Sequence, residues 1–209
     1  MKARIVAIAL AAICLSGCVT LLPKTKPAQL YRFGASPAQG TPVLAPSAPR
    51  AGERFAVRVV GLSFDPAAAS DRILTINGDK AAYVAGSRWI AAAEGLFDAA
   101  LTAAFDHHQG PARLLALGEP AAADYTLKVD VRTFEARYEH GADAAPTVVV
   151  VAYAALVKRG DLNLDRTRLF MAEAPATSNS MGGVVAAFDG AVIKVLGQMV
   201  AWVDAKGVG

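Results

Sequence analysis

Three histidines, two cysteines and a few clustered acids are the side chains here that could ligate metal, move protons or attack an electrophile. His107 and His108 are adjacent, so on a helix their rings diverge by about 100°. His140 stands apart, and no cysteine or suitably spaced acid completes a zinc set. A histidine pair closing a helix is better explained by the helix dipole, which favours cations at that end. Asp161-Leu162-Asn163-Leu164-Asp165 opens like a calcium loop. However, Arg166 takes the glycine position and Ala172 the place of the bidentate glutamate, so a polar hairpin turn is the better reading. There is no G-x-S-x-G elbow, Walker lysine or G-x-G-x-x-G run. Gly86-Ser87-Arg88 reads as a loop and helix cap, Gly182-Gly183 as a flexible helix start, and Glu135 and Glu139 as solvated charges on exposed strand positions. No enzyme, metal or cofactor is expected. With a net charge of +3 and no long basic run, nucleic acid is not an expected partner either.

The amino end carries chemistry of another kind. Met1-Lys2-Ala3-Arg4 is cationic, and Ile5 to Leu15 is an apolar stretch of eleven residues, right for a signal segment and too short to span a bilayer. It runs into Leu15-Ser16-Gly17-Cys18, which resembles the lipobox of bacterial lipoproteins. Small residues at 16 and 17 suit a peptidase cleft, and the Cys18 thiol would accept a diacylglyceryl group before cleavage leaves it N-terminal. Residues 1–17 are therefore expected to be a signal peptide, with a covalent lipid on Cys18 in place of any cofactor. Several acyl chains anchor stably where one would not. Val19 stands where an inner-membrane retention rule would want Asp, which favours the outer membrane of a Gram-negative envelope.

Residues 18–54 hold six of the 11 prolines and read as a semi-extended tether, with one aromatic island at 30–34 that could pair as a short strand. From Phe55 the pattern is that of one domain, residues 55–209. Phe55, Val57 and Val59 alternate as in a strand. Arg72 to Ile76, Asn77-Gly78 and Asp79 to Val84 read as a hairpin on a type I′ turn. Trp89, Ala93, Phe97, Leu101 and Phe105 recur on one face of a helix expected over 88–106, capped by Ser87. Tyr125 to Val131 alternates, then the apolar phase flips to Phe134 and Ala136, which predicts a β-bulge near Arg132-Thr133. The apolar run Val148 to Val157 and the segment Arg166 to Ala174 complete an antiparallel meander. Met181 to Asp204 reads as a second helix, with Trp202 off its main stripe and a candidate partner contact. Together these predict a two-layer α+β domain: a mostly antiparallel sheet of about five or six strands beside two amphipathic helices. The 54% apolar fraction excludes a disordered chain, although 45 alanines contribute score rather than volume.

Tyr31-Arg32-Phe33-Gly34, Ser70-Asp71-Arg72-Ile73-Leu74, Ala82-Tyr83-Val84 and Gly86-Ser87-Arg88-Trp89 occur in this order after the lipobox. The Leu96-Phe97 to Ala104-Phe105 helix and the closing amphipathic helix follow them. In this the chain resembles the ABC-type transport auxiliary lipoproteins (the PqiC/YmbA-like group) from about Tyr31 onward. Tyr31, Arg72, Tyr83, Arg88, Trp89 and Phe97 are the positions that carry the resemblance, with Trp89 and Phe97 read as core. The resemblance implies an α+β fold and a non-enzymatic periplasmic lipoprotein. Its implied partners are an MCE-domain protein, with an ABC permease and ATPase. It would dock the MCE assembly at the outer membrane while phospholipid or other hydrophobic molecules move between the membranes. Self-association into a homo-oligomer is a further expectation. The alternative is an envelope lipoprotein that binds a small apolar ligand or chaperones another complex. A sealed apolar cavity between helix and sheet would favour that alternative. A packed core with an exposed strand edge or apolar patch would favour docking.

Overall fold

The computed structural model describes residues 27–34, 54–161 and 166–207. Eight strands form one sheet: β1 Gln29–Tyr31, β2 Phe55–Phe64, β3 Arg72–Asn77, β4 Lys80–Trp89, β5 Ala112–Leu114, β6 Tyr125–Arg137, β7 Thr147–Lys158 and β8 Thr167–Pro175. Two helices, α1 Ala93–His107 and α2 Met181–Gly207, cover one face of it. Leu15, Ser16, Gly17 and Cys18 lie outside the described residues, as do residues 162–165 of the calcium-like run.

β6 is the spine. One of its edges is shared by two parallel neighbours, β2 along Tyr125–Val131 and β3 at Ala136–Arg137, while β7 runs antiparallel along the other. β8 continues the meander, β4 folds back on β3, and β1 and β5 extend the sheet beyond β4 and β2. The α+β class and the meander agree with expectation, but the sheet is larger and more mixed. Four of its pairings are parallel and three antiparallel. β1, at Gln29–Tyr31, falls at the start of the aromatic island expected to pair at 30–34, whereas β5 has three residues, too few to show a period. The parallel pairs arise because the hairpin, α1 and β5 intervene between β2 and β6, and a parallel pairing needs such a crossover.

The predicted bulge is present: the β6–β7 register shifts between Val131 and Thr133. Tyr125, Leu127, Val129 and Val131 are buried before it, and Phe134 and Ala136 after it. Phe134 thereby becomes the hub of an aromatic cluster. Its ring lies 4.8 Å from Phe188, 4.9 Å from Phe33, 5.2 Å from Phe64 and 6.3 Å from Trp89. Trp89 also meets Phe33 and Phe188 edge-on, an arrangement worth about 0.5–1.5 kcal/mol per pair beyond burial. Phe97, fully buried, joins through Phe64.

Three local expectations need correction. The hairpin closes on Asn77 and Lys80, so its loop is Gly78-Asp79 with only Gly78 (φ +61°) in the left-handed region, the pattern of a II′ rather than an I′ turn. Ser87 is not a helix cap: it is buried in β4 opposite Gln29, and α1 starts at Ala93 with no side-chain cap. Pairing with β1 keeps β4 extended as far as Trp89, whose spacing from Ala93 and Phe97 only imitates a helical face. Trp202 is not a surface anchor either. It is buried, edge-on to Phe170 at 5.6 Å, because α2 lies over both β7 and β8 and needs a wider apolar face than one stripe. The same breadth explains how α2, long and apolar enough by composition to cross a membrane, serves as a core helix.

Trp89→Ala is expected to cost about 3–5 kcal/mol, read from chemical denaturation. An unchanged midpoint would place the indole outside the core.

Candidate docking surface

Five of the six positions that carry the family resemblance gather at the corner made by β1, β3 and β4. Nη1 of Arg88 donates to both carboxylate oxygens of Asp71, at 2.9 and 3.1 Å, and the Trp89 N–H donates to the Asp71 carbonyl at 2.7 Å. The Arg72 guanidinium stacks 3.8 Å from the centre of the Tyr83 ring, whose hydroxyl donates to the Ala67 carbonyl. The Ile90 N–H donates to the Tyr31 carbonyl at 2.7 Å, which ties β1 to the end of β4. Phe97 stands apart from this corner, in the core beneath it. These contacts make the corner a clasp that seats Trp89 and Phe33. The Arg88–Asp71 pair is about half exposed, and such pairs contribute about 0–1 kcal/mol.

The side chains capable of chemistry are dispersed. His108 Nε2 pairs with the Asp204 carboxylate, whose other oxygen accepts the Ala112 N–H at 3.0 Å. That joins the ends of α1 and α2 to β5. Glu135 is partly buried and ion-paired to Arg137 at 2.7 Å, not a free solvated charge. Hydrogen bonds from Arg113 and the Ala116 N–H hold the Glu119 carboxyl below its usual range. Arg132 and Ser63 do the same for Asp130. Burial pushes the Tyr138 phenol up, and its hydroxyl donates to Asn179. Each shift favours the protonation state the group already has at neutral pH. Among the described residues, no three His, Cys, Asp or Glu side chains could hold a metal together, and no buried side-chain polar atom lacks a hydrogen-bond partner.

The surface offers more than the interior. Between α1 and α2 runs an open groove of about 280 Å³, floored by Ala100, Ala103 and Ala104 on one side and Val192 and Gly197 on the other. Gly34 closes one end, and His107 and His108 stand at the other. Ile193, about half exposed, forms its rim. Small side chains make the groove: a Cβ on Gly197 would meet nothing within 4 Å. It lies on the helical layer rather than between helix and sheet, where Phe134, Phe188, Leu127 and Val195 fill the space.

A family model for the ABC-type transport auxiliary lipoprotein component matches residues 37–200. The chain belongs to this family. Protein XCC0632 from Xanthomonas campestris has a similar structure, with a TM-score of 0.65 and 24% identity over 76% of this chain and 91% of that one. A second, uncharacterised protein of known structure gives a TM-score of 0.60 and 15% identity over 87% of this chain and 99% of that one. At these identities the likeness is one of fold. None of the curated proteins matches the chain. As an auxiliary lipoprotein it is an envelope-associated, lipid-anchored component of a transport system. The matched stretch starts after Tyr31-Arg32-Phe33-Gly34, yet this segment is part of the packed body: Phe33 is buried, and Gly34 donates its N–H to Asp189 at 2.7 Å.

The auxiliary lipoprotein's groove is invisible to motif reading because half of its lining is alanine and glycine, residues that score as filler. The one available signal is Ala100, Ala103 and Ala104 at helical spacing beside the bulky stripe of Phe97, Leu101 and Phe105. At the groove's end, Gly34 has φ +68°, and a Cβ there would come within 2.5 Å of the Ala100 side chain. Gly34→Ala is expected to cost about 1–3 kcal/mol, more than Gly78→Ala at an open turn with the same sign of φ. Equal denaturation midpoints for the two variants would show that Gly34 does not set the approach of this segment to α1.

Proposed function

We propose that this protein is a non-enzymatic periplasmic lipoprotein, held by acyl chains on Cys18 after removal of residues 1–17. In this reading it docks the MCE assembly of an ABC-type transport system at the outer membrane while phospholipid or other hydrophobic molecules are moved. The observation that carries this reading is the contrast between a filled, fully hydrogen-bonded core and an apolar groove open on the helical layer of a chain in a transport auxiliary family. Contact surfaces of this kind act by excluding water around an apolar partner segment. The alternative of a small apolar ligand held inside the domain needs an enclosed space beneath the helices, and the aromatic cluster around Phe134 occupies it.

Affinity capture of the full-length protein from cells that express an MCE protein tests the partner. The expected outcome is recovery of the MCE protein by wild type and about tenfold less by Gly197→Leu, which fills the groove without entering the core. Failure of wild type to recover any MCE protein would contradict the docking role. Cys18→Ala should leave the protein folded but move it from the membrane to the soluble fraction. Salt-resistant membrane association of that variant would contradict the anchor.

A further inference from the structure

The clasp formed by β1, β3 and β4 has an outer side. Tyr31 and Trp89 are register partners turned toward the helices, and Phe33, two residues beyond Tyr31, is buried with Trp89. Extended chain alternates its faces, so Leu30, Arg32, Arg88 and Ile90 turn the other way. Arg72 joins them as the register partner of Arg88. Leu30 lies opposite Arg88, and the bond from the Ile90 N–H to the Tyr31 carbonyl carries the ladder one step further. Leu30 and Ile90 are therefore diagonal neighbours on this face, 52% and 59% exposed. Arg88 is paired with Asp71, Arg72 lies over the Tyr83 ring, and Arg32 has no ion pair among the described residues. Three guanidinium groups thus stand beside two exposed aliphatic side chains.

We propose that this corner rests on the phospholipid surface that holds the anchor, with Leu30 and Ile90 among the headgroups and Arg32 on lipid phosphate. This rests on the acylation proposed for Cys18. Nine residues separate Cys18 from Pro27, the first described residue before β1. Even a fully extended chain of that length spans only about 30 Å, so the β1 corner is the part of the domain leashed to the bilayer. A leash this short holds the patch near lipid at an effective concentration on the order of millimolar, where a weak affinity suffices. The side chains suit that surface. Aliphatic groups shed water at the boundary between headgroups and acyl chains, and a guanidinium pairs with phosphate through two parallel hydrogen bonds. A purely apolar protein surface would leave the Arg32 charge unanswered. The patch lies on the sheet face away from α1 and α2, so resting on it turns the groove between those helices away from the membrane.

Fluorescence quenching by lipid tests the patch. The full-length protein purified from membranes is reconstituted into vesicles of phosphatidylethanolamine and phosphatidylglycerol that contain a doxyl-labelled phospholipid. A fluorophore is carried on Leu30→Cys, Ile90→Cys or Leu117→Cys. Leu117 is exposed beyond β5, at the opposite end of the strand order from β1. Probes at positions 30 and 90 should be quenched about twofold more than the probe at 117. Arg32→Glu, or phosphatidylcholine in place of phosphatidylglycerol, should remove most of that difference. Equal quenching at all three positions on vesicle-bound protein would overturn the patch and leave the anchor standing. So would probes at 30 and 90 that shift to the blue without quenching, the mark of a protein neighbour rather than lipid. Protein that does not float with the vesicles would contradict acylation of Cys18 and overturn this placement with it.

Discussion

The arrangement depends on one extra residue in β6. A strand alternates its faces with a period of two, so inserting Arg132 between the paired positions Val131 and Thr133 reverses the phase of everything after it. Without that step Phe134 would face outward and the aromatic cluster would lose the ring that joins Phe33, Phe64, Trp89 and Phe188. The step also lets one long strand serve two neighbours on the same edge, β2 before the shift and β3 after it. β3 carries β4, and β4 carries β1, so the clasp of Asp71, Arg72, Tyr83 and Arg88 is built outward from the same irregularity.

The interior of the domain is filled by this core, and the open apolar groove lies on the surface. Among the described residues no buried side-chain polar atom lacks a hydrogen-bond partner, and outside the core the shifts of Glu119, Asp130 and Tyr138 favour the protonation states already present at neutral pH. The small-residue groove between α1 and α2 is the surface feature that suits an apolar segment of a partner.

Much of this was readable from residue order where a period ran long enough. The β6 phase flip from Val131 to Phe134, the meander and the long closing helix all rest on seven or more residues of consistent spacing. Three-residue strands such as Gln29–Tyr31 carry no such signal and exist because β4 offers them an edge. Ser87 and Trp202 depart from the local pattern for one reason: that pattern assigns a face to each residue, but the tertiary neighbours decide how wide the face is. Ser87 sits in a strand held extended by β1, and Trp202 beneath a strand that α2 must also cover. The groove went unseen because it is made by the absence of side-chain volume at Ala100, Ala104 and Gly197, whereas motifs are read from what side chains supply.

The central claim is that this lipoprotein works by contact along the groove between its helices. A photocrosslinking side chain in place of Ile193, on the groove's rim, tests this most directly in living cells. The account predicts an adduct between this protein and an MCE-domain protein that is absent when the same probe replaces Leu117, an exposed residue outside the groove lining. Adducts of equal yield at both positions, or none to an MCE protein from position 193, would contradict it.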